Sequence, residues 1–420
     1  MNGEHSEYHS QLRTLNPRRA AHLRRWVWNA GCWALLFPLL ASLVALTGCA
    51  AAPKPLPLTG DVFHDAPLAI GQGPPRDKLL WQYRLALAEM RRGQLDAAKP
   101  LLDDALVTLG GLHGKDAEAR KSRRLFQQES QKTFIGEPYE RAMAYFYRGI
   151  LYWRDGEMDN ARACFRSAEF EDSDAENGEY QCDYTLFDYL DGFATAKLGG
   201  DGADGFKRAE QSAKGAKPPA YDTKVNTLVF LDFGPGPTKF GGGEYGEQLR
   251  FRVPNSPVKA VEVQLNSQIA NIKWADDLGF QATTRGGRVM DYVLANKAVF
   301  KGTTDAVGDI ALISGAILAT GNDNKTRNVG AGLMVAGLLG KIASAATTPE
   351  ADTRCWEALP QFLALGQFKL PPGEHTATVR FLNADGKAES KVTKQATFTV
   401  PASRDAVVYI SDQSTTPQTQ

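Results

Sequence analysis

Gly136–Asp172 reads GEPYERAMAYFYRGILYWRDGEMDNARACFRSAEFED. Tyr139, Met143, Phe146, Ile150 and Trp153 recur every three or four residues, the period of one helical face. Pro138 suits a first helical turn, where its missing N–H is not needed. Asp155-Gly156 interrupts the pattern, and Ala161, Phe165 and Ala168 line a second face. The spacing predicts two antiparallel helices with Gly149 and the alanines at their contact. The aromatics read as the core of that pair. Arg141, Arg148 and Arg154 lie elsewhere on the first helix, as a solvated face or the lining of a binding groove.

The same figure precedes this stretch. Leu80, Tyr83, Leu87 and Met90 form one face, Gly93-Gln94 breaks it, and Leu95, Ala98, Leu102, Ala105 and Leu109 form another. In both pairs a turn glycine is followed five places on by alanine. Gly149, Tyr152, Ala161, Phe165 and Ala168 resemble the small and large positions of a tetratricopeptide repeat. A degenerate third copy runs Tyr184–Ala213, turning at Gly199-Gly200. The better copies are offset by 63 residues, not a multiple of that repeat's 34, so Leu112–Phe134 reads as an inserted charged helix or half-repeat. Cys164 lies on the second helix and Cys182 in the next connection. Two readings stay open for them: a Cys164–Cys182 disulfide, or a buried free thiol at Cys164.

Upstream, Arg18, Arg19, Arg24 and Arg25 precede an apolar run, Trp33–Leu46. It falls short of the roughly 20 residues of a membrane span, and a charged region before a short apolar one is the pattern of a secretory signal. The run ends Leu46-Thr47-Gly48-Cys49, which resembles a bacterial lipobox. That resemblance implies a lipoprotein signal peptide over 1–48 and an acylated Cys49 as the mature N-terminus, anchored in the lipid bilayer. Ala50, and not Asp, follows Cys49; by resemblance to lipoproteins of the enteric type, this implies the outer membrane, facing the periplasm. Residues 49–76 carry Pro at 53, 55, 57, 67, 74 and 75 and read as an extended tether.

Downstream of a break at Gly215–Pro219 the period becomes two. Val261, Val263 and Leu265 alternate with polar residues, as do Ala377, Val379 and Phe381, and Ala396, Phe398 and Val400. Asn383–Gly386 is a hairpin signal, and Thr227–Phe233 and Val407–Ile410 add two strands. The predicted class is α+β multidomain: a helical-hairpin domain over 77–217, then a β-sandwich-like domain over 221–411, with 412–420 a disordered tail. A helical insertion at about 291–348 interrupts the β domain. Its small residues at 311, 315 and 319, and at 332, 336, 340 and 344, suit a tightly packed hairpin, 310–344. Its uncharged stretch Val329–Gly340 would cover roughly 18 Å, too little for a bilayer core of about 30 Å. Gly234–Lys239 is too proline-rich for a phosphate loop. Asp352-Thr353-Arg354-Cys355-Trp356 holds two residue types common at binding hot spots, Arg354 and Trp356, which equally suit a structural plug.

The charge balance is 48 cationic against 48 acidic side chains, and removing 1–48 leaves 43 against 46. That excludes a nucleic-acid footprint. No Cys/His spacing suggests a metal site, and no cofactor motif is present. The mature chain as a whole resembles a family of bacterial tetratricopeptide-repeat lipoproteins. The resemblance rests on the lipobox, Gly136–Arg141, Gly149 with Ala161–Ala163, Gly236–Lys239, and Asp352–Trp356 with Leu359-Pro360. It implies architecture and no chemistry. The expectation is a non-enzymatic, lipid-anchored envelope scaffold that binds another envelope protein, with Arg141, Arg148, Arg154, Arg354 and Trp356 as contact candidates. Two alternatives are an envelope enzyme or carbohydrate binder using carboxylates such as Asp276, Asp277, Glu357 and Glu374, and a membrane-active or self-assembling protein acting through 310–344.

Overall fold

Gly156 ends the first helix of the quoted stretch in the left-handed region, at φ 84°, where a side chain would be strained. A computed structural model describes residues 56–111, 132–173, 181–243, 246–284 and 350–420. In it α1 is Val62–Gln72, α2 Lys78–Arg91, α3 Leu95–Gly110, α4 Pro138–Asp155, α5 Met158–Asp172, α6 Thr185–Lys197 and α7 Ala203–Ser212. The pairs α2/α3, α4/α5 and α6/α7 pack as antiparallel hairpins at the expected turns. At Gly149 a Cβ would lie 2.6 Å from the Phe165 ring, so glycine is what lets α4 and α5 close. The leader over 1–48, Cys49, nearly all of Leu112–Phe134 and the 291–348 insertion lie outside the described residues.

The strands are β1 Thr227–Pro235, β2 Thr238–Gly242, β3 Gln248–Arg252, β4 Val258–Leu265, β5 Gln268–Lys273 and β6 Asp276–Asp277. After a short helix α8, Leu278–Thr283, come β7 Pro360–Phe368, β8 Gly373–Asn383, β9 Ala388–Val400, β10 Ala406–Ser411 and β11 Gln418–Thr419. One sheet has the order β10-β1-β7-β6 and a second β11-β9-β8-β4-β5, with β2-β3 a separate ribbon. In the second sheet the predicted alternation holds: Val261, Val263, Leu265, Ala377, Val379 and Phe381 are buried while their neighbours are half-exposed or exposed.

The first sheet behaves differently. Residues 227–234 of β1 are all buried. Leu228 and Phe230 join the core of the helices, while Val229, Leu231 and Phe233 join the core shared with the second sheet. In β10, Val407 and Tyr409 face the helices, and Val408 and Ile410 face the second sheet. The four-stranded sheet is therefore a middle layer with an apolar core on each side. Strands buried on both faces read as near-continuous apolar runs, which AVVYI is and TLVFLDF is apart from Thr227 and Asp232.

Three expectations need correction. Residues 77–217 and 221–411 do not form two separate cores: one core joins α2, α4 and α6 to β1, β7 and β10, and Leu58–Gln420 is a single unit. The proline-rich stretch is not extended throughout. Asp61 caps α1 by accepting from Phe63 N–H, Ala66 and Ala69 are buried, and Pro67 sits inside the helix. Residues 412–420 are not a disordered tail. Asp412 N–H donates to Asp232 O, Thr415 N–H donates to Arg91 O at 2.9 Å, and β11 pairs in parallel with β9. Those ties are mostly backbone and amide hydrogen bonds, which hydropathy does not register. Among the described residues no helix is long and apolar enough to cross a membrane.

Candidate functional site

Glu140 is the third residue of α4, and its carboxylate reaches back to accept from Glu137 N–H at 2.6 Å, closing a capping box. Its other oxygen accepts from Trp356 N–H at 2.6 Å. The Lys239 ammonium, at the start of the β2-β3 ribbon, donates to Glu140 and to Arg354 O. The Lys239 side chain is 2% exposed and Glu140 fully enclosed. Arg354 extends the cluster by binding Asp352, Asp77 at 2.6 Å and Lys132 O at 2.8 Å. Three short motifs distant in sequence, Gly136–Arg141, Gly236–Lys239 and Asp352–Trp356, thus meet on one carboxylate. Trp356 fills the space beside it, stacked on Tyr83 at 4.6 Å and edge-on to Tyr147 at 5.9 Å.

This geometry revises the role expected of the five contact candidates. Arg141 is buried and pairs with Glu171 at 2.5 Å, tying α4 to α5. Arg148 binds Asp103 at 2.6 Å and lies over the Tyr152 ring, tying α4 to α3. Arg154 reaches Asp96 on α3 at 2.9 Å. Arg354 is held by two carboxylates, and Trp356 is fully buried. Among the described residues, the three arginines of α4 thus reach acids on neighbouring helices, and Arg354 and Trp356 belong to the Glu140 cluster. Between the layers, Asp232 on β1 accepts from the Tyr147 and Tyr409 hydroxyls at 2.8 and 2.6 Å. Burial raises the pKa of both phenols well above the usual value.

The carboxylates expected of an enzyme do not converge. Asp276 is buried and accepts from Thr185 and Leu186 N–H, capping α6 from the sheet side. Asp277 caps α8, Glu357 pairs with Arg84, and Glu374 lies on the outer face of the second sheet. Among the described residues no three His, Cys, Asp or Glu side chains are placed to hold a metal ion.

Cys164 and Cys182 are not bridged. Both are free thiols, Cys164 buried and Cys182 exposed with its thiol donating to Glu169 O. Burial pushes the Cys164 thiol up to about 12, which makes it a poor nucleophile.

Sequence reasoning missed two features. The first is an acidic cluster where α5 leads to α6. Glu169 is 9% exposed, and among the described residues neither of its carboxylate oxygens has a hydrogen-bond partner. Burial, then the nearby charges of Asp188 and Asp172, raise its pKa well above the usual range. Burial lifts Asp188 to about 6 against the pull of Arg208, and Asp276 to about 7. The second is a cleft of about 390 Å³ between α1, α2 and the C-terminal segment, lined by Phe63, Trp81, Arg84, Arg92, Glu357 and Gln413 among others. Arg92 is exposed and lies 3.5 Å over the Phe63 ring, and Arg84 lies 4.7 Å over Trp81. The adjacent Arg91-Arg92 was the available sequence signal, hidden because 49–76 reads as tether.

No family model, no curated protein and no solved structure matches this chain.

Proposed function

We propose that this chain is a non-enzymatic, lipid-anchored scaffold of the bacterial cell envelope, built of tetratricopeptide-like hairpins closed on one side by a β-sandwich-like body. The observation that carries this reading is the internal use of its charged chemistry. The arginines of α4 join it to its neighbouring helices, and the Glu140–Lys239 pair joins α4 to the β2-β3 ribbon. The lipobox ending at Cys49 supports the anchor, and the outer-membrane, periplasm-facing location follows from Ala50. With the inner helical face covered, an envelope protein partner docks on the outer faces of the hairpins, where Val107 on α3 is 75% exposed.

Cross-linking the mature lipidated protein in envelope membranes tests this. A discrete cross-linked partner is expected, weakened by Val107→Glu with no change in melting temperature. No discrete partner, or one indifferent to changes on the outer helical faces, overturns the scaffold reading. Palmitate incorporation into the native chain, abolished by Cys49→Ser, is the separate check on the anchor.

A further inference from the structure

The cleft between α1 and α2 lies where the folded unit begins. Its rim includes Gly60, Val62 and Phe63, and Leu58 just before it is 49% exposed. Eight residues lie between Cys49 and Leu58, and the nine steps from one to the other reach only about 30 Å even fully extended. A lipid on Cys49 would keep this rim close to a bilayer surface at high effective concentration.

The chemistry of the cleft matches such a surface. Phe63 and Trp81 are half-buried aromatics with accessible edges, the amphipathic type enriched at membrane interfaces. Arg84, Arg91 and Arg92 line the same cavity, against two carboxylates, Asp65 and Glu357. Asp65 is buried, and His64 with the N–H groups of Thr59 and Gly60 holds its carboxyl well below the usual range. Glu357 is taken up by Arg84. Arg92 is exposed, stacked on Phe63, and has no carboxylate partner among the described residues. The cleft thus carries an available guanidinium between aromatic walls, in a chain whose balance beyond residue 48 is slightly acidic.

We infer that the Phe63–Trp81–Arg84–Arg92 cleft docks on the anionic lipid headgroups of the bilayer that anchors the chain. The inference rests on the anchored-scaffold reading for the location of that bilayer. A headgroup phosphate meets Arg92 and Arg84, and Phe63, Trp81 and Leu58 settle at the headgroup level.

The test uses the mature chain with Cys49→Ser, so that acyl chains do not contribute, sedimented with vesicles of phosphatidylethanolamine alone or with phosphatidylglycerol added. Binding is expected only with phosphatidylglycerol. It should fall about fivefold for Arg92→Gln, and by less for Arg84→Gln, whose charge Glu357 already meets. It should also weaken as salt rises from 0.1 to 0.5 M, which shortens screening to a few Å. Arg380→Gln, on the outer sheet, should bind as the parent does, and far-UV circular dichroism should be unchanged in Arg92→Gln. Equal sedimentation with both vesicles, none with either, or full binding by the arginine variants overturns the inference. So does complete competition by millimolar inorganic phosphate, which would mark a site for free anions. Failure of palmitate labelling at Cys49 would remove the anchor and leave the vesicle result standing, so the two readings fail separately.

Discussion

Glu140 and Glu169 sit on the two helices of one hairpin, and both are buried. Glu140 receives two backbone N–H groups and an ammonium. Among the described residues, Glu169 receives nothing at either oxygen. Burial alone therefore says little about what a carboxylate does in this fold. Glu140 meets an opposite charge and joins three chain segments. Glu169 sits among like charges, and burial favours its neutral form.

Breaking the first site should have the largest effect. Glu140→Ala leaves Lys239 buried with only a carbonyl, and removing one member of a buried pair costs about 3–5 kcal/mol. Chemical denaturation should show a loss of that size. The double variant Glu140→Leu/Lys239→Met should recover most of it, since well-packed apolar residues commonly replace a buried pair at little cost.

Next in size is the pH dependence set by the acids near α6. Asp276 has a folded value of about 7, against 3.8 ordinarily. Below pH 4 both states hold the proton. Between pH 4 and 7 only the folded state holds it, so stability falls as pH rises, by about 4 kcal/mol in all. Glu169 and Asp188, both shifted upward, add to the same slope. Melting curves from pH 4 to 8 should decline steadily, and Asp276→Asn should flatten the decline.

A smaller change sharpens the contrast. Glu169→Gln removes a titrating group with no partner, and should gain about 1 kcal/mol at pH 7.5 and nothing at pH 4. Glu140→Gln, the same change one helix away, should destabilise at both. Smallest of all, a thiol reagent on the native protein should modify exposed Cys182 before Cys164, slowly because burial and nearby acids raise the Cys182 pKa, and leave Cys164 unmodified until unfolding.

The hairpins were legible because their signals are local: Gly93 and Gly156 mark turns, and Leu95, Ala98 and Leu102 keep the helical period. The second sheet was legible for the same reason in period two. The middle layer was only half legible. Thr227–Phe233 reads as a strand, but its run of apolar residues on both faces was the clue that something packs on each side. The site was least legible. Arg148 and Arg154 lie on a helix surface by period, and only the placement of Asp103 and Asp96 on α3 shows that surface to be internal. The Glu140 cluster needs partners about 100 and more than 200 residues away, and no short window contains both.

The pairing of β1 with β10 carries a consequence for the order of assembly. The two strands lie side by side in parallel, Thr227 opposite Ala406 and Asp232 opposite Ser411. The helical hairpins are built from near neighbours and form quickly, whereas closing a loop of this length is slow. Until residues 406–411 emerge, the apolar faces of α2, α4 and α6 have no complete sheet to cover them. A chain crossing a membrane from its N-terminus would expose that surface for most of its passage, so escort by a holding chaperone would be most valuable just before the final strands arrive.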